Sequence, residues 1–107
     1  MLLEIQKQIA ELIAENAKGA TALFETESAL AQAEYDLDLV EQKAFLGADG
    51  TVADRTAIAR LKAAENRLQR DLRKAEHNRV RVKIKQIETA LIALSTQAKL
   101  IGVETRM

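Results

Sequence analysis

Proline, cysteine and tryptophan are all absent from the 107 residues of this sequence. Without proline, no residue forces a helix to break. Without cysteine, neither a disulfide framework nor a thiolate metal site can form. No apolar run approaches the ~20 residues of a membrane span. Glu4 and Lys7 interrupt the apolar N-terminus, so we expect no signal peptide, no membrane partner and a cytoplasmic location.

Aromatic residues and glycine are scarce, whereas alanine is abundant. The aromatic residues are Phe24, Tyr35 and Phe45, and there are four glycines. Alanine, the best helix former, occurs nineteen times. A core of Leu, Ile, Val and Ala suits close helix packing and lacks the β-branched and aromatic content of a sheet. The composition predicts an all-α fold.

Charges of opposite sign are divided between the two halves of the chain. Residues 1–50 contain ten acidic and three basic side chains, and residues 51–107 contain six acidic and thirteen basic ones. The formal net charge is nevertheless zero. This asymmetry favours side-by-side pairing of the two halves.

A heptad pattern covers the first half. Apolar residues predominate in two series with a seven-residue spacing, which is typical of the a and d positions of a coiled coil. The a series is Leu2, Ile9, Asn16, Leu23, Leu30, Leu37 and Ala44, and the d series is Ile5, Leu12, Gly19, Thr26, Ala33 and Val40. We therefore predict a helix over about residues 2–46.

Asn16 and Gly19 leave two interpretations of this helix open. A buried Asn at an a position commonly fixes the register of a coiled coil. Alternatively, the helix ends at residues 16–20, because Gly often follows the last helical residue. In that case Thr21 caps the next helix and a short N-terminal helix stands apart.

A turn at residues 47–51 separates this helix from a second one. Gly47 can end the first helix, and Thr51 with Asp54 resembles a capping box. We predict the second helix over about residues 52–101, with Gly102 as its stop. Its seam comprises Leu61, Glu65, Leu68, Leu72 and Ala75, then, after a phase slip near Arg79, Val80, Ile84, Ile87, Leu91, Leu94, Ala98 and Ile101.

Two helices of similar length predict a long antiparallel hairpin, a coiled coil that forms a single domain over residues 1–107. Folding at residues 47–50 places residue i near residue 98 − i. Acids then meet bases: Asp36, Asp38 and Glu41 near Arg55, Arg60 and Lys62, Glu25 and Glu27 near Arg70 and Arg73, and Glu11 and Glu15 near Arg81, Lys83 and Lys85. Two helices bury little surface, and Leu3, Ile13, Phe24 and Phe45 lie off the seam, so we expect a homo-oligomer.

Residues with catalytic potential are few, and we expect no enzyme. His77 is the single histidine, without a nucleophile near it in sequence, and we expect it to be solvated on a polar face. Asp36 and Asp38 are two residues apart and do not share a helix face. The segment Gly47–Gly50 lacks the Lys-Ser/Thr of a phosphate-binding loop. We predict neither a metal site nor a cofactor.

The basic second helix is the candidate binding surface. Between Arg55 and Lys85 there are eleven basic and three acidic side chains. Such a stripe fits a phosphate backbone, although no interleaved aromatic residue offers a stacking platform for sequence-specific recognition of single strands. Alternatively, these bases pair with the acidic helix or form a solvated face. The candidate nucleic-acid-binding residues are Arg67, Arg70, Arg73, Lys74, Arg79, Arg81, Lys83 and Lys85.

The stretch from Tyr35 to Ile101 has a composite pattern. An acidic and apolar helix ends in Lys-Ala-Phe-Leu at residues 43–46, a Gly-containing turn follows, and an Arg/Lys-rich helix contains Leu-Arg-Lys-Ala-Glu at residues 72–76. This pattern resembles small phage-encoded helical proteins, the UvsY-like recombination mediators. The resemblance implies an oligomer in the host cytoplasm that binds single-stranded DNA and assists a recombinase against single-strand-binding protein. It assigns assembly to Val80, Ile84, Ile87, Leu91, Leu94 and Ile101.

Three functions compete on this basis. The leading one is a non-enzymatic phage accessory protein of the recombination-mediator type. Its alternative is a structural or assembly coiled coil, such as a virion scaffold or chaperone, that binds no nucleic acid. A secreted hairpin effector with a Trp-X-Gly turn is the third, and the absence of tryptophan counts against it. Salt-dependent DNA binding separates the first two, because counterion release accompanies only the first.

Overall fold

The computed structural model describes residues 1–106, with side chains for residues 1–102. It contains helix α1 at Leu2–Gly47, helix α2 at Val52–Lys62 and helix α3 at Ala64–Arg106. The described residues form no strand. The predicted all-α hairpin is confirmed.

The chain divides into two compact units. Unit 1 combines Met1–Phe24 with the chain from Arg79 onward, and unit 2 is the continuous segment Glu25–Asn78. Helices α1 and α3 contribute to both units. In each unit, a stretch of α1 packs beside a stretch of the chain that follows the turn.

The packing face of α1 follows the predicted heptad. Every a and d position from Ile5 to Ala44 is buried or half-buried. The helix passes Asn16 and Gly19 without interruption, so the alternative of a helix end at residues 16–20 is wrong. A Cβ atom on Gly19 would lie 3.0 Å from Cγ1 of Ile84. Glycine therefore allows the two helices of unit 1 to approach closely at this level.

The turn between α1 and α2 contains the predicted capping box. The Asp54 N–H donates to Oγ1 of Thr51, and the Thr51 N–H donates to Oδ2 of Asp54, both at 3.2 Å. These reciprocal bonds satisfy two groups that the start of a helix leaves unpaired. Gly50 has φ 109°, a left-handed conformation that glycine adopts at little cost.

A single residue, Ala63, separates α2 from α3. Its φ and ψ are −94° and 6°, and its side chain is completely buried. Hydrogen bonds of the helical type continue on both sides, from Ala63 N–H to the Ala59 carbonyl and from Arg67 N–H to the Ala63 carbonyl. The interruption is therefore local, and α3 continues beyond the predicted stop at Gly102 to Arg106.

The buried face of α2 and α3 differs from the predicted one in unit 2. Steps of three and four residues lead back from Val80 to His77, Arg73, Arg70 and Asn66, which are all half-buried. The predicted seam residues Leu61, Glu65, Leu68, Leu72 and Ala75 are all exposed. The phase slip near Arg79 was wrong, because α3 is a continuous helix and keeps one seam from Asn66 to Ile101. Long Arg side chains tolerate such positions because their charged ends can reach water.

The antiparallel register also differs from the prediction. Thr26 bonds His77 in unit 2, and Gly19 faces Ile84 in unit 1, so the paired numbers add to 103 instead of 98. At the turn, Phe45 and Arg55 add to 100. The prediction assumed that the residues on either side of the turn lie directly opposite each other, which need not hold. The resulting error in the register is about one helical turn. The predicted acid–base neighbours shift accordingly.

Candidate functional site

Three of the four candidate bases of unit 2 are engaged within the chain. Arg67 bonds Glu41 of α1 at 2.8 Å. Arg70 bonds the neighbouring Asp71 at 2.8 Å, and Arg73 bonds Glu76 at 3.1 Å. All three arginines are half-buried. An incoming phosphate would have to compete with these carboxylates, so they are poor candidates for nucleic-acid contacts.

Only one ion pair joins α1 to the basic helix within the described side chains, the pair between Glu41 and Arg67. The sequence predicted Arg55, Arg60 and Lys62 as the neighbours of Asp36, Asp38 and Glu41. Arg55 instead lies over the ring of Phe45, 4.7 Å from its centroid, and donates from Nε to the Phe45 carbonyl. The charge asymmetry of the sequence therefore produces few direct pairs.

The candidate bases of unit 1 are exposed. Arg79, Arg81, Lys83 and Lys85 form no ion pair among the residues whose side chains are described. Residues four apart share a helix side, so Arg79 with Lys83 and Arg81 with Lys85 lie on opposite sides of the packed seam. We call these four residues the basic segment. Lys74, in unit 2, is also exposed and has no ion pair in that described set.

The two units also differ in net charge. Unit 1 contains eight basic and five acidic residues, and unit 2 contains eight basic and eleven acidic ones. Unit 1 therefore has a positive net charge, although the net charge of the whole chain is zero. A positive unit attracts polyanions, most strongly at low ionic strength.

A groove beside the basic segment lies between the helices of unit 1. It has a volume of about 420 Å³ and is lined by Glu15, Lys18, Gly19, Lys83 and apolar seam residues. Glu15 and Lys83, which the sequence predicted to be neighbours, line this groove together.

His77 occupies an unexpected position in unit 2. Its Nδ1 lies 3.1 Å from Oγ1 of Thr26 on α1, and both residues are half-buried. The prediction of a solvated His77 was therefore wrong, because the continuous seam of α3 turns this residue towards α1. In the described structure, no carboxylate is hydrogen-bonded to the imidazole to orient it as a catalytic base.

The predicted assembly residues lie in the packed seam of unit 1. Val80, Ile84, Leu91, Leu94 and Ile101 are half-buried and Ile87 is 6% exposed. They face the N-terminal stretch of α1, as the proximity of Gly19 and Ile84 indicates. Their role in assembly stays a prediction, and it would use only the part of each side chain that the hairpin leaves uncovered.

The predicted seam residues from Leu61 to Ala75, with Ile58 before them, form an exposed surface instead of a hairpin core. Ile58, Leu61, Leu68 and Leu72 are 37%, 78%, 56% and 47% exposed. Together with Glu65 and Ala75 they follow the three-and-four spacing of a coiled-coil face. We call residues 58, 61, 65, 68, 72 and 75 the apolar stripe. The signal that could have revealed its exposure was the unbroken seam phase extending back from Val80.

A second apolar feature lies at the turn. Phe45, Leu46, Thr56 and Ala59 line a groove of about 410 Å³, with Glu41, Gln42 and Arg60 beside them. Leu46 is 74% exposed. The groove is open to solvent, and its lining mixes apolar residues with polar and charged ones.

Neither a metal-binding cluster nor a membrane-spanning helix is present among the described residues. No group of three or more His, Asp or Glu side chains is arranged to hold a metal ion in that part of the chain. None of the described helices has an apolar stretch long enough to cross a membrane. Comparisons of the chain with protein-family models, curated proteins and solved structures found no match.

Proposed function

We propose that this protein is a non-enzymatic, self-associating coiled coil that acts as a structural or assembly adaptor. The observation that carries the proposal is the imbalance between its exposed and buried apolar residues. Among the residues with described side chains, sixteen large apolar ones are exposed and five apolar ones are buried. Each large apolar side chain transferred from water contributes about 1.5–3 kcal/mol. Association of several hairpins would supply the burial that one hairpin lacks.

The exposed apolar residues are arranged as in an assembly surface and not as isolated leucines on the surface of a monomer. Scattered exposed apolar residues are ordinary, whereas a contiguous row marks an interaction surface. Ile58 and Leu61, followed by Leu68 and Leu72, lie in one row on the same side of the helix, with Glu65 between the two pairs. The single histidine is hydrogen-bonded in the packed seam, which fits a structural role for it.

Analytical ultracentrifugation of the full chain tests this proposal. We expect a mass that is a multiple of 11.8 kDa and that decreases on dilution. A chain that stays monomeric at the highest accessible concentration, with intact helical circular dichroism, would contradict self-association.

Binding of single-stranded DNA is a second candidate function, and the free basic segment favours it. Arg79, Arg81 and Lys83 are exposed and lack ion pairs in the described set, and unit 1 is positive as a whole. A role beside a recombinase, as in the mediators that the chain resembles, depends on this binding and is proposed only with it. Contacts to phosphates alone give sequence-independent binding.

Fluorescence anisotropy of a labelled oligonucleotide at several salt concentrations tests the second candidate. We expect binding whose log affinity falls linearly with log salt, by about 0.7 for each phosphate contacted. The triple substitution Arg79→Ala, Arg81→Ala, Lys83→Ala should lower this slope by about two. Lys43→Ala with Arg60→Ala, which removes two exposed bases of unit 2 that lie off the apolar surface of that unit, is the control. Absence of binding at low salt would leave the assembly function alone.

A further inference from the structure

The apolar stripe has the geometry of a helix-packing face without a partner in the chain. Its members recur at intervals of three or four residues from Ile58 to Ala75. The opposite side of the same helices, with Ala59, Ala63, Asn66 and Arg70, is the side that packs in unit 2. A row with this spacing matches another long helix better than it matches a compact ligand.

Unit 2 buries little apolar surface within the chain, so a partner on the stripe would stabilise it. Its own packed face includes Asn66, Arg70, Arg73 and His77, so apolar burial against α1 is thin. Only Leu37, Ala59 and Ala63 are buried in this unit. Small units with little burial depend on cross-links, metals or association for stability, and the chain has no cysteine.

The charges beside the stripe indicate what the partner is. Lys62 lies near its beginning and Glu76 near its end, two heptads apart and therefore on the same side of the helix. Both side chains are exposed, although Glu76 also bonds Arg73 of its own helix. A second copy in antiparallel orientation brings each Lys62 to a Glu76. In a parallel, in-register copy each Lys62 lies at the level of the other Lys62 and each Glu76 at the level of the other Glu76, so this attraction does not form.

We propose that a second copy of the chain docks antiparallel on the apolar stripe, with Leu68 of each copy against Leu72 of the other. This inference rests on the proposed self-association and names its surface. The arrangement is two-fold symmetric, so the same patch serves both copies and the contact closes as a pair. Glu65 then faces Ala75 of the second copy, whose small side chain leaves the carboxylate access to water.

Disulfide cross-linking tests the orientation directly because the chain has no cysteine of its own. Leu68→Cys and Leu72→Cys variants, one of them carrying a mass tag, are mixed and oxidised. The antiparallel pair predicts a cross-linked heterodimer in clear excess over either homodimer. Leu46→Cys, at the turn and off the stripe, is the control and should give neither product at comparable yield.

A charge substitution provides the second measurement. Leu68→Glu should weaken self-association by more than about tenfold, because the carboxylate must be desolvated against the second copy. Leu46→Glu, at a residue that is 74% exposed, should leave self-association unchanged. Circular dichroism checks that both variants keep their helices, as expected for side chains that contribute little to the packing within one chain.

The outcomes separate this inference from the proposed function. A wild-type chain that is monomeric by ultracentrifugation overturns both. An oligomeric wild type that Leu68→Glu leaves intact and that yields no Leu68–Leu72 cross-link overturns the inference alone. Homodimer cross-links in excess indicate a parallel pair and also overturn it. Heterodimer cross-links together with weakened association of Leu68→Glu support it.

Discussion

Among single residues, the two glycines of the turn have different physical roles. Gly50 has φ 109°, and a Cβ atom there would lie 3.0 Å from Oδ2 of Asp54, the capping-box carboxylate. At Gly47, by contrast, a Cβ atom would meet nothing within 4 Å. Composition alone cannot distinguish the two, because the distinction depends on the backbone path.

We therefore expect Gly50→Ala to lower the free energy of unfolding by about 1–2 kcal/mol, since alanine is strained in the left-handed region. Gly47→Ala, at the last residue of α1, should leave it unchanged or raise it by up to ~1 kcal/mol through helix propensity. Urea denaturation followed by circular dichroism measures both. Equal effects of the two substitutions would contradict the conformation described for the turn.

The hydrogen bond between Thr26 and His77 is a polar contact between α1 and α3 in unit 2, in addition to the Glu41–Arg67 ion pair. Its length is 3.1 Å and its groups are half-buried. Thr26→Val keeps the branched shape and removes the hydroxyl, so we expect a loss of about 0.5–1.5 kcal/mol in unfolding free energy. Thr89→Val is the matched control, because the exposed Thr89 hydroxyl bonds only the Lys85 carbonyl of its own helix. A loss no larger than that of the control would show that the contact contributes nothing.

At the scale of whole helices, the sequence predicted α1 well and part of α3 badly. The a and d positions of α1 are mostly apolar, so periodicity and burial agree from Ile5 to Ala44. In unit 2, Leu61, Leu68 and Leu72 form the more apolar face of the later helix, and a rule that buries apolar faces selects them. A continuous helix cannot follow that rule and also keep the seam from Val80 to Ile101, because the two faces are out of phase.

The same conflict explains why the candidate site was only partly predictable. The density of bases is visible in the sequence, but whether a base is free depends on the phase of the seam and on the register. That phase half-buries Arg70 and Arg73, and Arg67 bonds Glu41, five residues away from the register of Thr26 and His77. Arg79, Arg81, Lys83 and Lys85 flank the seam and stay exposed.

The phase of α3 can be tested with two adjacent alanines. Ala63 is completely buried, and its neighbour Ala64 is exposed. Ala63→Leu should cost about 1–3 kcal/mol of stability, because a larger side chain does not fit a packed site. Ala64→Leu should change stability by no more than about 0.5 kcal/mol. Thermal and urea unfolding measure the difference, and the reverse order would favour the face that the sequence predicted.

At the scale of the whole molecule, charge and apolar surface are distributed in different ways. Unit 1 has the excess of bases, and unit 2 contains the apolar stripe. Binding of a polyanion and self-association would therefore use different residues of the chain. Substitutions in the basic segment should change the first without changing the second.

Self-association also makes the stability of the fold depend on protein concentration. Because assembly binds the folded chain and not the unfolded one, mass action raises the unfolding temperature with concentration. For a dimer of this size we expect a rise of roughly 3–5 °C for each tenfold increase. Leu68→Glu should unfold at a lower temperature than the wild type at each concentration, whereas Leu46→Glu should unfold at the wild-type temperature. A wild-type midpoint that is constant across concentrations, measured by circular dichroism at a fixed scan rate, would mean that the exposed leucines do not hold copies of the chain together.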